Sequence, residues 1–200
     1  MTPLVAIRHG PTDWTASGRL QGRADRPLSP AGRAAVRAWR LPPDLAGAAW
    51  DWLSSPLARA RETAALLRGS AMPPARPEPA LIEMDWGEWE GNRLAALRAE
   101  GGARMAAAEA RGLDLRAPGG ESPRAVQARL RPLLAAVAAA GRPAVAVTHK
   151  GVIRALYALA TGWDMTGAPP EKLRDACAHR FLLDGAGTPR ASRMNVPLTG

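Results

Sequence analysis

Two short apolar runs, each ending on a histidine, constrain this chain more than any other feature of its 200 residues. The first, residues 3–8, closes on Arg8-His9-Gly10; the second, Ala144-Val145-Ala146-Val147-Thr148, closes on His149. Runs that are apolar at every position, rather than at alternate ones, suit strands buried on both faces, and such strands belong to sheets covered by helices on each side. The chain supplies those helices. Ser29-Pro30 puts a capping hydroxyl and a first-turn proline before a helical stretch reaching about Trp39. Trp50–Ser54 predicts a second strand, and Ser55-Pro56 a cap for a helix that runs to about Arg68 and stops at Gly69. Ala80-Leu81-Ile82, after the proline-rich segment 73–79, reads as a third strand. Ser122-Pro123 opens a long helix with Val126, Leu130, Leu133, Leu134 and Val137 on one stripe, which Pro132 is expected to kink. Another helix runs from Gly151 to about Ala160, and Phe181-Leu182-Leu183 predicts a late strand with a turn through Gly185-Ala186-Gly187.

Strands alternating with helices predict an α/β fold, a three-layer α/β/α sandwich with a mostly parallel central sheet, in a single domain spanning residues 1–200. Residues 11–28 are expected to form a loop. Residues 85–120, rich in Gly, Ala and Arg, are expected to form a lid or an insertion with short helices. Open parallel sheets bind ligands outside the carboxyl ends of their strands. His9 follows the first strand there, His149 the fourth, and Arg59 lies in the first turn of the helix after the second.

The formal charge of +9 raises the question of a polyanionic partner. Its distribution argues against nucleic acid, because the basic residues include only two lysines, Lys150 and Lys172, and the arginines scatter through every segment without a run. Trp39, Trp50 and Trp52 sit in apolar segments that look like core rather than a stacking platform. The longest apolar run is far short of the ~20 residues of a membrane span, and no basic leader precedes Leu4-Val5-Ala6-Ile7, so no membrane contact and a cytoplasmic location are expected. Cys177 is the single cysteine, reads as a small buried apolar residue, and fits a reducing compartment.

The residue types at the expected sheet edge suit phosphoryl chemistry. A neutral imidazole is a nucleophile toward phosphorus, and a phosphohistidine divides one difficult transfer into two easier ones. Arg8, Arg59 and a second imidazole at His149 can surround a phosphoryl group and neutralise the charge that spreads over its oxygens. Gly10 and Gly151 let backbone approach an anion, and the helix starting near Gly151 would aim its positive end at it. Residues two apart on a helix point to nearly opposite sides, so Arg59 and Arg61 cannot both face one pocket; Thr63, one turn on, shares the face of Arg59.

Four blocks in order resemble the histidine phosphatase superfamily, which includes the cofactor-dependent phosphoglycerate mutases. They are Arg8-His9-Gly10-Pro11-Thr12-Asp13-Trp14, continued by Gly18-Arg19-Leu20-Gln21-Gly22; Ser55-Pro56-Leu57-Ala58-Arg59-Ala60-Arg61-Glu62-Thr63-Ala64; Glu83 before Asp85-Trp86-Gly87-Glu88-Trp89-Glu90-Gly91; and Val147-Thr148-His149-Lys150-Gly151. The resemblance implies that His9 attacks phosphorus and that Glu83 protonates the leaving oxygen, then takes a proton from water. It also implies that Arg8, Arg59 and His149 hold the phosphoryl oxygens, that no metal or cofactor is needed, and that the partner is a small phosphorylated substrate. Asp85, Glu88 and Glu90 stand close enough in sequence to substitute for Glu83, and His179 and Arg61 read as ordinary structural residues.

Three positions depart from the family's pattern. Thr15 stands where many relatives carry a phosphate-holding Asn, Pro11 where Glu is frequent, and Lys150 where a small residue is common. A phosphomonoester hydrolase is the first expectation, because residues 84–148 are short for the basic insertion of the mutases; a mutase is the second, and a non-catalytic phosphate- or nucleic-acid-binding module the third.

Overall fold

A computed structural model describes residues 1–45 and 50–198. Six strands form one sheet in the order β3-β2-β4-β1-β5-β6: β1 Thr2–Arg8, β2 Asp51–Ser54, β3 Arg76–Pro77, β4 Ala144–Thr148, β5 Cys177–Leu183 and β6 Pro189–Pro197. β1, β2, β3 and β4 pair in parallel, and β5 and β6 complete the sheet as an antiparallel hairpin. The mostly parallel sheet expected from the apolar runs is therefore present.

The burial on both faces that those runs required comes from two helical layers. Leu4, Ala6, Ala144 and Ala146 face α5 (Pro123–Ala140) and α6 (Lys150–Thr161). Their neighbours Val5, Ile7, Val145 and Val147 face α2 (Pro30–Ala38) and α3 (Ala58–Arg68). Successive strand side chains point to opposite faces, so each apolar run feeds both cores at once. Trp39 and Trp52 are buried in the second core and Trp50 packs at its edge, as expected for core rather than platform.

Ser29 accepts the Gly32 N–H and Ser122 the Ala125 N–H, so the two Ser-Pro caps read from sequence are in place. The third is not. α3 begins two residues later than predicted, after Leu57, and its first amide, that of Ala58, donates to the distant Asp25 carboxylate at 2.7 Å. The expected third strand at 80–82 is also corrected: Pro79–Leu81 forms a 3-10 turn, and β3 is the preceding pair Arg76–Pro77. A three-residue apolar run has no period to identify it, and Pro79 lacks the N–H a strand ladder would use.

One smaller expectation changes as well: the loop 11–28 contains a short helix, α1 Asp13–Ala16. The long helix expected after Ser122-Pro123 is α5, which includes Pro132 in its interior. Residues 85–120 hold α4, Leu94–Glu109, whose two arms meet at a non-helical Gly102 with φ +48°. No helix of the described residues is long and apolar enough to cross a membrane.

Candidate active site

Register brings the two histidines together. β1 pairs with β4 so that Arg8 lies opposite Thr148, and the His9 N–H extends the ladder to the Thr148 carbonyl at 2.9 Å. His9 and His149 are thus neighbours across adjacent parallel strands, with ring centroids 5.1 Å apart. On the other side of β4, the Ser55 N–H reaches the Val147 carbonyl, which sets the Ser55 hydroxyl 2.7 Å from His149 Nε2.

The His9 ring is held by its Nδ1, which lies 2.7 Å from the Gly10 carbonyl. A carbonyl only accepts, so Nδ1 carries the proton and the Nε2 lone pair is left for chemistry. Burial, the Arg8 guanidinium and then that of Arg59 push the His9 pKa well below its ordinary value, against the opposing pull of the Gly10 carbonyl. The Gly10 N–H is anchored by Thr63 Oγ1 at 2.9 Å, and that hydroxyl donates to the Arg59 carbonyl. Thr63 thus ties the loop bearing His9 to the helix bearing Arg59. α2 presses on the same loop: a Cβ on Gly32 would lie 1.9 Å from the Pro11 carbonyl oxygen.

Arg59 is fully buried and Arg61 exposed, so the two do not share a pocket, as helical geometry required, and Arg59 is the inward one, as the resemblance implied; the Arg59 side chain is held at both ends of its fork. Its two terminal nitrogens donate to the carbonyls of Ala24, at 2.9 Å, and Gly22, at 2.7 Å. The amides of those same residues donate to Glu90 Oε1, so Glu90 fixes the loop that fixes Arg59. Arg8 pairs with Asp175 at 2.6 Å. Among the described residues, Arg8 Nε, Arg59 Nε and His149 Nδ1 are buried without a hydrogen-bond partner. Three such polar atoms around one pair of histidines are costly unless an anion engages the cluster.

Glu83 is buried, and its carboxylate accepts the Met84 N–H at 2.8 Å and the Gly151 N–H at 3.1 Å. Burial raises its pKa despite those two amides and the charges of Arg59 and Arg8. The surrounding segment is clamped from three sides. Arg23 donates to the Glu83 carbonyl, Arg129 to the carbonyls of Ala80 and Ile82, and Glu121 accepts the Asp85 N–H while pairing with both arginines. Asp85 and Glu90 are committed to backbone amides, and neither these two nor Glu88 lines the cleft.

Arg8, His9 and Glu83 open into a cleft of about 750 Å³ whose far walls include Trp86, Trp89, Leu94, Met105 and Leu115 from segment 85–120. Thr15 also lines it, but its hydroxyl is turned inward. Thr12 Oγ1 spends its one proton on Gln21 Oε1 at 3.0 Å, so the 3.1 Å contact between the two threonines must be donated by Thr15. In this loop the donor left without a partner among the described residues is Gln21 Nε2, on the cleft wall. Gly151 lines the cleft too, with its amide directed at Glu83 rather than outward.

Ser55, Gln21 and Asp175 were missed as site residues. Ser55 and Gln21 lay inside the resembling blocks, whereas nothing in the sequence singled out Asp175. His179 is buried and accepts the Asn195 N–H, a structural role as expected, and Cys177 is buried.

The fold and this constellation define an enzyme of the histidine phosphatase class. The chain belongs to the histidine phosphatase superfamily (branch 1), whose family model matches residues 4–197. It is 30% identical to the 2,3-bisphosphoglycerate-dependent phosphoglycerate mutase of Methylobacterium radiotolerans, over 98% of this chain and 91% of the relative. It is 37% identical to the glucosyl-3-phosphoglycerate phosphatase of Mycobacterium tuberculosis, over 78% and 73%. Among solved structures, mycobacterial glucosyl-3-phosphoglycerate phosphatase complexed with VO3 superposes with a TM-score of 0.77, at 30% identity and full coverage of both chains.

Proposed function

We propose that this chain hydrolyses a small phosphomonoester through a phosphohistidine on His9. The observation that carries the reading is the His9 ring itself. Its Nδ1–H is fixed on the Gly10 carbonyl, its pKa is depressed by burial and by Arg8 and Arg59, and its free Nε2 adjoins a buried cationic cluster. Nε2 attacks phosphorus while Arg8, Arg59 and His149, with the Gln21 amide, receive the equatorial oxygens. The leaving oxygen departs with the proton of Glu83, whose raised pKa keeps a fraction of the carboxyl protonated. In the second half-reaction Glu83, now ionised, takes a proton from water as the water oxygen attacks the phosphohistidine, releasing phosphate and free His9. Thr15 and Gly151 act in this scheme by supporting the 12–21 loop and Glu83, and a metal ion has no part in it. A cytoplasmic location for the enzyme belongs to the same reading, supported by its single buried cysteine.

Transfer of the phosphoryl group to another oxygen of the substrate uses the same residues, and the Methylobacterium relative is described as a mutase. Because the match spans 91% of that relative, chain length does not separate the two outcomes. One assay does: phosphate release from a panel of phosphomonoesters with EDTA present, beside 2- to 3-phosphoglycerate interconversion. Hydrolysis outpacing interconversion, and abolished by His9→Ala, is expected. Full activity of His9→Ala would overturn the nucleophile, loss of wild-type activity in EDTA the metal-free scheme, and faster interconversion the hydrolase.

A further inference from the structure

The cleft carries more positive charge than one phosphoryl group needs, and that charge is unevenly matched. Each of the cleft's other two carboxylates already has an arginine: Asp175 pairs with Arg8, and Glu109 with Arg98 at 2.6 Å. Arg154 differs. It lies half-buried on α6 and lines the cleft, and among the described residues no carboxylate lies within ion-pair distance and no carbonyl accepts a hydrogen bond from it. Its guanidinium carbon sits 4.8 Å from the centroid of the Trp163 ring, which is itself buried and fixed by an N–H···O bond to Thr166. Partial removal of a cation from water is costly, and an aromatic face compensates only in part. Stacking also orients the planar fork, which lowers the entropy lost when it binds a carboxylate.

Arg154 stands four residues, one helical turn, after Lys150, an exposed cation that lines the same cleft. Residues so spaced share a helix face about 5–6 Å apart. The α6 face turned toward the cleft therefore carries a cationic pair leading away from His149, at the N-terminus of the helix.

We propose that Arg154, assisted by Lys150, receives a second anionic group on the substrate, a carboxylate placed about one helical turn from the phosphoryl site. This rests on the phosphatase reading above and narrows its substrates to phosphorylated carboxylic acids. A single planar fork matches a carboxylate edge to edge. Arg154 touches no reacting atom in this scheme; it selects and positions.

A matched pair of esters provides the test: 3-phosphoglycerate and glycerol 3-phosphate, which differ in a carboxylate against a hydroxymethyl group. Wild type should favour 3-phosphoglycerate by at least about tenfold in kcat/KM, mostly through KM, and the preference should shrink with added salt. Arg154→Gln should erase the preference and Arg154→Lys should keep part of it. Equal wild-type values for the two esters, or a preference untouched by Arg154→Gln, would overturn the inference. Arg154 serving only to pack on Trp163 would lower the melting temperature of Arg154→Gln and leave the ratio unchanged. Cleavage of neither ester by a wild type that hydrolyses other phosphomonoesters of the panel would overturn this inference, whereas failure on the whole panel would overturn the phosphatase reading itself.

Discussion

Replacing Gly151 by Ala isolates the acid step from folding. A Cβ at this position would stand 2.5 Å from Glu83 Oε1 and 3.2 Å from its Cδ, where 3.0 Å is the closest approach that real Cβ atoms show. The carboxyl must retreat by about 0.5 Å to reach that limit and by nearly twice as much for ordinary contact, and its bond from the Gly151 N–H at 3.1 Å would stretch with it. Displacement of a catalytic group by about 1 Å costs on the order of 10²-fold. The backbone objects little, since residue 151 lies in the first turn of α6 without a positive φ, and Ala is favoured over Gly in a helix by up to about 1 kcal/mol. The melting temperature should therefore stay within about 4 °C of wild type. The readout is kcat/KM, which reports events only as far as formation of the phosphoenzyme. In the proposed scheme an alkoxide leaves with the Glu83 proton, whereas p-nitrophenolate needs none. Gly151→Ala should lower kcat/KM about 10²-fold on an alkyl phosphate and under about fivefold on p-nitrophenyl phosphate. Equal losses on the two esters, or none on the alkyl ester in a folded variant, would refute the placing of Glu83 as the acid.

Two further outcomes follow from the site's electrostatics. Burial, then His9 and then Arg59 hold His149 well below its ordinary pKa, and burial does the same for His9, so both rings are neutral at pH 7 in the free protein. A bound dianion favours the His149 cation and leaves His9 neutral for attack, which raises the His149 pKa on binding; affinity for sulfate should strengthen as pH falls toward 6, with proton uptake seen by calorimetry in two buffers of different ionisation heat. Binding without uptake would contradict a cationic His149 in the bound state. Separately, Glu90→Gln weakens the acceptor of the Gly22 and Ala24 amides at 2.9 and 2.6 Å and so loosens the carbonyls that aim Arg59. It should raise KM for phosphate esters several-fold and leave the slope of the pH profile as it is, whereas an altered slope would mark Glu90 as a proton carrier instead.

The layered sheet and the positions of His9, Arg59 and His149 were legible in the sequence for a physical reason. Strands buried on both faces must be apolar at every position, and the residues that follow them must turn out at the sheet's carboxyl edge. That Arg59 and Arg61 take opposite sides was legible too, because helical periodicity is local, and the family resemblance indicated that Arg59 is the one turned inward. The strand at 80–82 was not, because three apolar residues carry no period, and the cap of α3 was not, because Asp25 comes from 33 residues away. Tertiary structure alone decided that Ser55 orients His149, that the Thr15 hydroxyl is spent on Thr12, and that among the described residues Gln21 keeps a free donor and Arg154 faces the cleft without a carboxylate. Each depends on which partner another segment presents within about 3 Å, a distance that local pattern does not encode. The sequence alone determined which residues gather at the carboxyl edge of the sheet; the packing of distant segments determined which proton each donor there has left.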